Sequence, residues 1–145
     1  MSFVARRGVD GAKLAVGDAL PAFDLPVTST VIVAGAIASR DFMPVHHDSA
    51  YARSQGAPDM FMNILTTNGY IARFVTDWAG PEAMLRSIKV RLGGPAVPGK
   101  QLHFTGQVSS VEREGDEWAV EVSIRAHNDL GDHATGSVLL SLPAC

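Results

Sequence analysis

The stretch from Asp59 to Pro81, DMFMNILTTNGYIARFVTDWAGP, decides how the rest of the chain must be arranged. Met60, Ile64, Leu65, Ile71, Phe74, Val75 and Trp78 recur at helical spacing. Asp59 stands where an N-cap belongs and Gly80-Pro81 closes the run, so the pattern predicts a helix of about five turns. Asn63, Asn68, Arg73 and Asp77 interrupt its apolar surface, which would be costly in lipid and argues against a membrane span. The segment reads as a buried helix, apolar on most sides and needing cover on most sides.

The chain downstream supplies that cover. Four segments alternate apolar and polar residues: Ile88, Val90, Leu92; then Leu102, Phe104, Val108; then Trp118, Val120, Val122, Ile124; then Val138, Leu140, Leu142. This period of two predicts strands that turn one face toward a core. GGPAVPG (93–99), EGDE (114–117) and NDLGD (128–132) carry the turn chemistry of antiparallel hairpins. Upstream, TSTVIVAGAIA from Thr28 to Ala38 is β-branched and continuous, which predicts a further strand, and SRDFMPVHHD is a polar, Pro-broken loop. Asp48 or Ser49 is placed to cap a short helix through Gln55, with Gly56 as its stop and Pro58 preventing continuation. Residues 1–27, punctuated by Gly8, Gly11, Gly17, Pro21 and Pro26, read as an N-terminal arm or short edge strand.

Together these elements predict an α+β domain over residues 1–145, an antiparallel sheet wrapped around a long central helix, which is a hot-dog fold in outline. One curved sheet leaves the flanks of such a helix uncovered, so self-association or a partner subunit is expected.

Composition narrows the function. The 145 residues are 46% hydrophobic and 19% charged, which fits a folded domain rather than a disordered one. Twelve basic residues against 15 acidic give a net charge of −3 with no basic cluster, so nucleic acid is not an expected partner. The single cysteine, Cys145, offers neither an internal disulfide nor a CxxC pair. The N-terminal residues around Arg6 and Arg7 lack the apolar core of a signal peptide, and a reducing, cytoplasmic location is expected.

The densest ionisable cluster is Arg40, Asp41, His46, His47 and Asp48, in the loop ahead of the helices. Asp41 and His46 flank Pro44 at a spacing that lets the loop bring a carboxylate and an imidazole toward one water, the equipment for adding or removing water. From spacing alone, a turn-capping Asp41 with solvated histidines is the favoured reading.

The residues Asp41-Phe42-Met43-Pro44-Val45-His46, with Ala52 downstream, resemble the signature D-x-N-P-[IV]-H-x5-[AS] of the MaoC-like (R)-specific enoyl-CoA hydratases, a hot-dog family. The likeness runs from about Thr28 to Leu142 and includes the Gly99 turn and N-x-x-G at Asn128 to Gly131. The strings SRDFMPVHHD, MNILTTNGYIARFVTDWAGP and NDLGDH are more similar to one branch, the small MaoC-like subunits of hydratases acting on steroid side chains in bacterial cholesterol degradation.

The resemblance implies that Asp41 and His46 are catalytic and jointly activate a water. That water adds to C3 of a trans-2-enoyl-CoA while C2 receives a proton. It also implies that backbone N–H groups at the start of the central helix, here placed near Asp59 and Met60, stabilise charge on the thioester oxygen. No metal or redox cofactor is implied, since the thioester already acidifies the α-carbon, and a second MaoC-like chain in a heteromer is expected. The sequence departs from the signature at Met43, where the family has Asn, so a polar orienter is missing. A carboxylate, Asp59, also stands where Gly often opens the helix. Met43 suits an adaptable apolar wall for a bulky acyl group.

Other residues read two ways. Met60, Met62 and Met84 with Phe61 and Phe74 are core residues or the lining of an acyl tunnel. Arg86, Lys89 and Arg91 on the outward strand face, and Arg40, are solvated or contact CoA phosphates. His47 with Asp48 reads as a helix-entry pair, and His103, Thr105 and Gln107 as the outer side of the sheet. His127 and His133 flank a hairpin, where solvated roles are expected. No HxH or HxxxH pattern supports zinc, and Gly93-Gly94 lacks the context of a dinucleotide loop. A hot-dog acyl-CoA thioesterase and a catalytically silent partner subunit are the alternatives to a hydratase. The intact Asp41 and His46 pair ranks the silent subunit last.

Overall fold

The computed structural model describes residues 8–144. Arg6, Arg7 and Cys145 lie outside them. Five strands, β1 (Phe23–Pro26), β2 (Met84–Leu92), β3 (Gln101–Glu114), β4 (Glu117–Asn128) and β5 (Gly131–Pro143), form one antiparallel sheet in the order β1-β3-β4-β5-β2. Three helices accompany it: α1 (Ser29–Ala38), α2 (Ser49–Ser54) and α3 (Ile64–Ala79).

The alternation read from the sequence is the face packed on α3. Leu102, Phe104, Val108, Val120, Val122, Ile124, Val138, Leu140 and Leu142 are buried against Ile71, Phe74, Val75 and Ala79 of the helix. Fully burying one such side chain contributes about 1.5–3 kcal/mol, so this interface dominates the fold. His103 and Gln107 fall on the opposite side, as their register requires. Gly80, at φ 93°, ends α3 in a conformation that favours glycine. The outward face of α3 is less apolar than its sequence suggested: Gly69, Arg73 and Asp77 are exposed, the last two paired at 3.4 Å. No helix among the described residues is long and apolar enough to cross a membrane.

Three sequence expectations are corrected. Thr28 to Ala38 is not a strand, because Ser29–Ala38 form the helix α1. The Thr28 hydroxyl caps it by accepting from the Val31 amide, and only Ile32 and Ala36 are buried, one turn apart on a single stripe. A short continuous apolar run carries no period that separates the two states. The central helix begins at Ile64 rather than near Asp59, because Asn63 is its N-cap, with its Oδ1 3.0 Å from the Thr66 amide. The residues before it, Met60 to Asn63, belong to no helix or strand, and the Met62 amide donates to the Ala96 carbonyl at 2.9 Å.

The third correction concerns Gly93 to Gly99, which does not close a hairpin. β2 and β3 are separated by β4 and β5, so this segment crosses the end of the sheet and buries Ala96 and Val97 over the start of α3. The other two turn readings, at 114–117 and 128–132, are hairpins. The N-terminal arm provides the edge strand: Phe23 to Pro26 pair with β3.

Candidate active site

α1 and α3 cross where Gly35 meets Thr66. A Cβ on residue 35 would fall on the Thr66 hydroxyl and lie 2.7 Å from its Cγ2, so only glycine permits this approach. The crossing sets the end of α1 beside the start of α3. α1 then stops in a left-handed residue, Arg40 at φ 57°, with the Arg40 amide donating to Ile37 and the Asp41 amide to Ala36. A non-glycine residue in that conformation is strained by about 1 kcal/mol, and the turn aims Asp41 back at the head of α3.

The loop beyond Asp41 closes through a 3₁₀ turn, Pro44–His46, that buries His46 to 7% exposure. His46 Nδ1 lies 2.7 Å from the Phe61 carbonyl. A carbonyl only accepts, so Nδ1 carries the proton, and Nε2 is the atom presented to Asp41 Oδ2 at 3.3 Å. In the neutral ring, Nε2 is therefore a lone-pair acceptor facing a second acceptor, and a water donating one hydrogen to each satisfies both. Spacing had left a turn-capping role open for Asp41. Its Oδ1 does accept from the Met43 amide at 3.3 Å, while Oδ2 faces the imidazole.

Asn63 is the functional residue that sequence reasoning missed. Its Nδ2 donates to Asp41 Oδ2 at 3.0 Å and to Ser39 Oγ at 2.8 Å, and the Ser39 hydroxyl in turn donates to the Gly35 carbonyl at 2.7 Å. The polar orienter expected at position 43 is thus supplied by the helix cap. The signal was present, since Asn ahead of Ile64-Leu65 is a preferred cap residue. The Asn63 hydrogen bond, with help from the Met43 amide, holds the Asp41 carboxyl below its usual range of about 3.8.

Asp59 does not stand at the helix pole. It binds its own following amide, Met60 N, at 2.7 Å and pairs with Arg53 at 3.1 Å. The Ser49 hydroxyl, the Met60 amide and Arg53 hold its carboxyl low. The amides available at the pole are those of Ile64 and Leu65, the first two of α3, which have no acceptor among the described residues.

Asp41, His46, Phe61, Met62, Asn63, Ile64, Leu92, Gly93, Gly94, Pro95 and His133 line a cleft of about 430 Å³. Of the residues read from sequence as catalytic or substrate-lining, it unites Asp41, His46, Phe61 and Met62. Met43, half exposed, does not line it. Neither does Arg86, whose guanidinium is held by Glu117 at 3.0 Å and Ser141 at 3.0 Å on the outside of β2. Arg91 is exposed on the strand beside Leu92 and does not line it either. His133, expected to be solvated, is 3% exposed inside the cleft wall.

The sequence profile of the MaoC-like domain matches residues 15–129, most of the chain and all of the Asp41–Asn63 assembly. The chain belongs to the MaoC-like family. A relative from Mycobacterium tuberculosis, the 3-oxo-4,17-pregnadiene-20-carboxyl-CoA hydratase beta subunit, is 44% identical over 127 residues, covering 88% of this chain and 95% of that protein. A chain of the ChsH1–ChsH2 complex of the same organism superposes with TM-score 0.83 at 44% identity, covering 88% of this chain and 98% of that one. The R-hydratase PhaJ1 of Pseudomonas aeruginosa has TM-score 0.81 at 22% identity over 94% of this chain and 86% of its own. That last likeness concerns the MaoC-like hot-dog fold alone.

Proposed function

We propose that this chain is the subunit of an enoyl-CoA hydratase that carries the Asp41 and His46 pair. It adds water across the C2=C3 bond of a trans-2-enoyl-CoA whose acyl group is a steroid side chain. The observation that carries this reading is the convergence of His46 Nε2 and Asp41 Oδ2 on one point, with the tautomer imposed by Phe61. A water held there loses a proton to Nε2 as its oxygen bonds to C3. The C2=C3 electron pair moves toward the thioester oxygen, which the Ile64 and Leu65 amides at the positive end of α3 are placed to receive. The imidazolium so formed, stabilised by the Asp41 carboxylate, returns the proton to C2 on the same face. No metal or redox group is needed, because the thioester itself makes the α-carbon acidic.

The steroid substrate rests on the 44% identical relative, whose name gives a steroid carboxyl-CoA, and on the apolar wall of Phe61, Met62, Ile64 and Leu92. The same relative is a beta subunit, and the ChsH1–ChsH2 structure is a complex. We therefore assign this chain a second MaoC-like subunit, in keeping with the exposed Ile37, Phe42 and Met43. With one cysteine in 145 residues, we place the protein in the cytoplasm.

Co-expression with a second MaoC-like chain, followed by size determination and assay on a steroid trans-2-enoyl-CoA, tests the reading. The expected result is loss of the conjugated double bond's absorbance without release of free thiol, nearly abolished by Asp41→Asn. Thiol release would make the protein a thioesterase. Undiminished hydration by Asp41→Asn would end the assignment, and a stable, fully active homodimer would remove the partner.

A further inference from the structure

A buried histidine outside the catalytic pair joins both walls of the cleft. His133 opens β5, and its ring reaches in two directions. Nδ1 lies 2.8 Å from the Gly94 carbonyl, and Nε2 lies 2.8 Å from the Thr67 hydroxyl in the first turn of α3. Thr67 is fully buried, and its hydroxyl is also 3.3 Å from the carbonyl of Asn63, the residue whose side chain holds Asp41. On the other side, the Gly93–Gly94 wall is laced to β5 through the Gly93 amide on the His133 carbonyl, 2.8 Å, and the Gly94 amide on the Asp132 carbonyl, 2.7 Å.

We propose that His133 is a positioning residue for the Asp41–His46 pair, acting through the Thr67 hydroxyl and the Asn63 cap. The direction of each bond follows from chemistry. Gly94 O only accepts, so Nδ1 donates to it, and in the neutral ring Nε2 must accept, which makes Thr67 the donor. The single Thr67 proton is then spent on His133, and the Asn63 carbonyl is left to the Thr67 amide at 3.1 Å, its normal helical partner. Removing either the imidazole or the hydroxyl unties the first turn of α3, and with it the Asn63 cap that orients Asp41, from the β5 wall. Burial lowers the His133 pKa and so keeps the ring in the accepting form. A buried histidine that merely satisfied the core would need no contact with the element carrying the catalytic cap. This one bridges that element to the opposite wall and itself lines the cleft.

The inference rests on the hydratase reading for its kinetic consequence but not for its structural one. The test uses the assembled protein with its partner chain and three variants. Thr67→Val removes the hydroxyl at constant shape, His133→Asn keeps a donor for Gly94 O and loses the link to Thr67, and Asp41→Asn marks the reaction itself. Thr67→Val and His133→Asn are each expected to lower kcat roughly ten-fold, as small misplacements of catalytic groups do. KM should change little and the double variant should fall no further. Followed by the ¹³C shift of its carboxyl, Asp41 is expected to titrate at higher pH in both variants, because Asn63 grips it less well. An unchanged Asp41 titration in both variants would overturn the proposal, whatever the fall in Tm. If Asp41→Asn kept full activity, the hydratase reading would fail instead, and the carboxyl titration would still decide the role of His133.

Discussion

His46 Nε2 and Asp41 Oδ2 stand 3.3 Å apart, and the other nitrogen of the ring is fixed by Phe61 O at 2.7 Å, a geometry in which both acceptors can serve the one guest of the proposed reaction. Removing either leaves the guest with a single anchor. His46→Ala and Asp41→Asn should each lower the hydration rate by roughly 10² to 10⁴. The double variant should be scarcely worse than the worse single one, since residues that act as a unit are not additive. Rates from the decay of enoyl-thioester absorbance check this. Losses that multiply in the double variant would mean two independent roles.

Asn63 both caps α3 and donates to Asp41, and two substitutions separate the roles. Asn63→Ala removes both, costing about 1 kcal/mol for the cap. Asn63→Asp keeps an acceptor for the Thr66 amide but places a second carboxylate beside Asp41. Asp41 is held low chiefly by this hydrogen bond, so its pKa should rise in both variants and more in Asn63→Asp. The acid limb of the pH–rate profile then moves to higher pH. A carboxylate depressed in the folded state contributes stability above its unfolded pKa of about 3.8 and loses it as pH falls through the folded value. That increment should shrink in Asn63→Ala. An acid limb that stays in place in both variants would show that Asn63 is a cap and nothing more.

Much of this was legible before any coordinates. Alternation along Leu102 to Phe104 and Val120 to Ile124 gave the buried sheet face, and the spacing of Asp41, Pro44 and His46 gave the pair. The failures share a cause. Thr28 to Ala38 is apolar at nearly every position, so period could not separate strand from helix. Its deciding features, the Thr28 cap and the Gly35 approach to Thr66, are local or tertiary. Asp59 and Asn63 are both good caps, and the choice fell to Asn63 because Met62 pairs with Ala96, far away in sequence. His133 follows the exposed Leu130, Gly131 and Asp132 of a hairpin turn, and nothing local reveals that the Gly93–Gly94 crossover comes back to bury it.

Gly35 offers a test of the helix crossing. In an ordinary exposed helix interior, Gly→Ala stabilises by up to about 1 kcal/mol. Here the new methyl meets Thr66 Oγ1 and Cγ2, so Gly35→Ala should instead destabilise by about 1–3 kcal/mol. It should also lower activity by moving Ser39 and Asp41 away from Asn63. Thr66→Ala, which deletes both clashing atoms and a hydroxyl that finds no partner in the structure, should recover most of the loss. Denaturant melts of the two single variants and the double settle it, and an additive double variant would refute the crossing argument.

Arg40 holds the turn into Asp41 in a left-handed conformation. Glycine adopts it without strain, so Arg40→Gly should raise stability by about 1 kcal/mol. The same variant also reports on the side chain. A KM for the acyl-CoA that stays constant assigns Arg40 to solvent, whereas a rise of several-fold assigns it to the CoA phosphates. A fall in stability would show that the side chain contributes more than the backbone strain costs.

His133 should leave its mark on stability as well as on rate. Burial holds its folded pKa below 6.5, against the opposing Gly94 hydrogen bond. On acidification the unfolded chain therefore takes up this proton before the folded one does. Stability from this group is complete above about pH 6.5 and declines as pH falls from there through the folded value. His133→Asn has nothing to titrate at this position. The wild type should therefore melt well above the variant at about pH 8, and the gap should narrow toward about pH 5. Thermal melts of both proteins at the two pH values check the sign. A gap that stays constant would mean that the folded cleft lets His133 protonate as readily as water does.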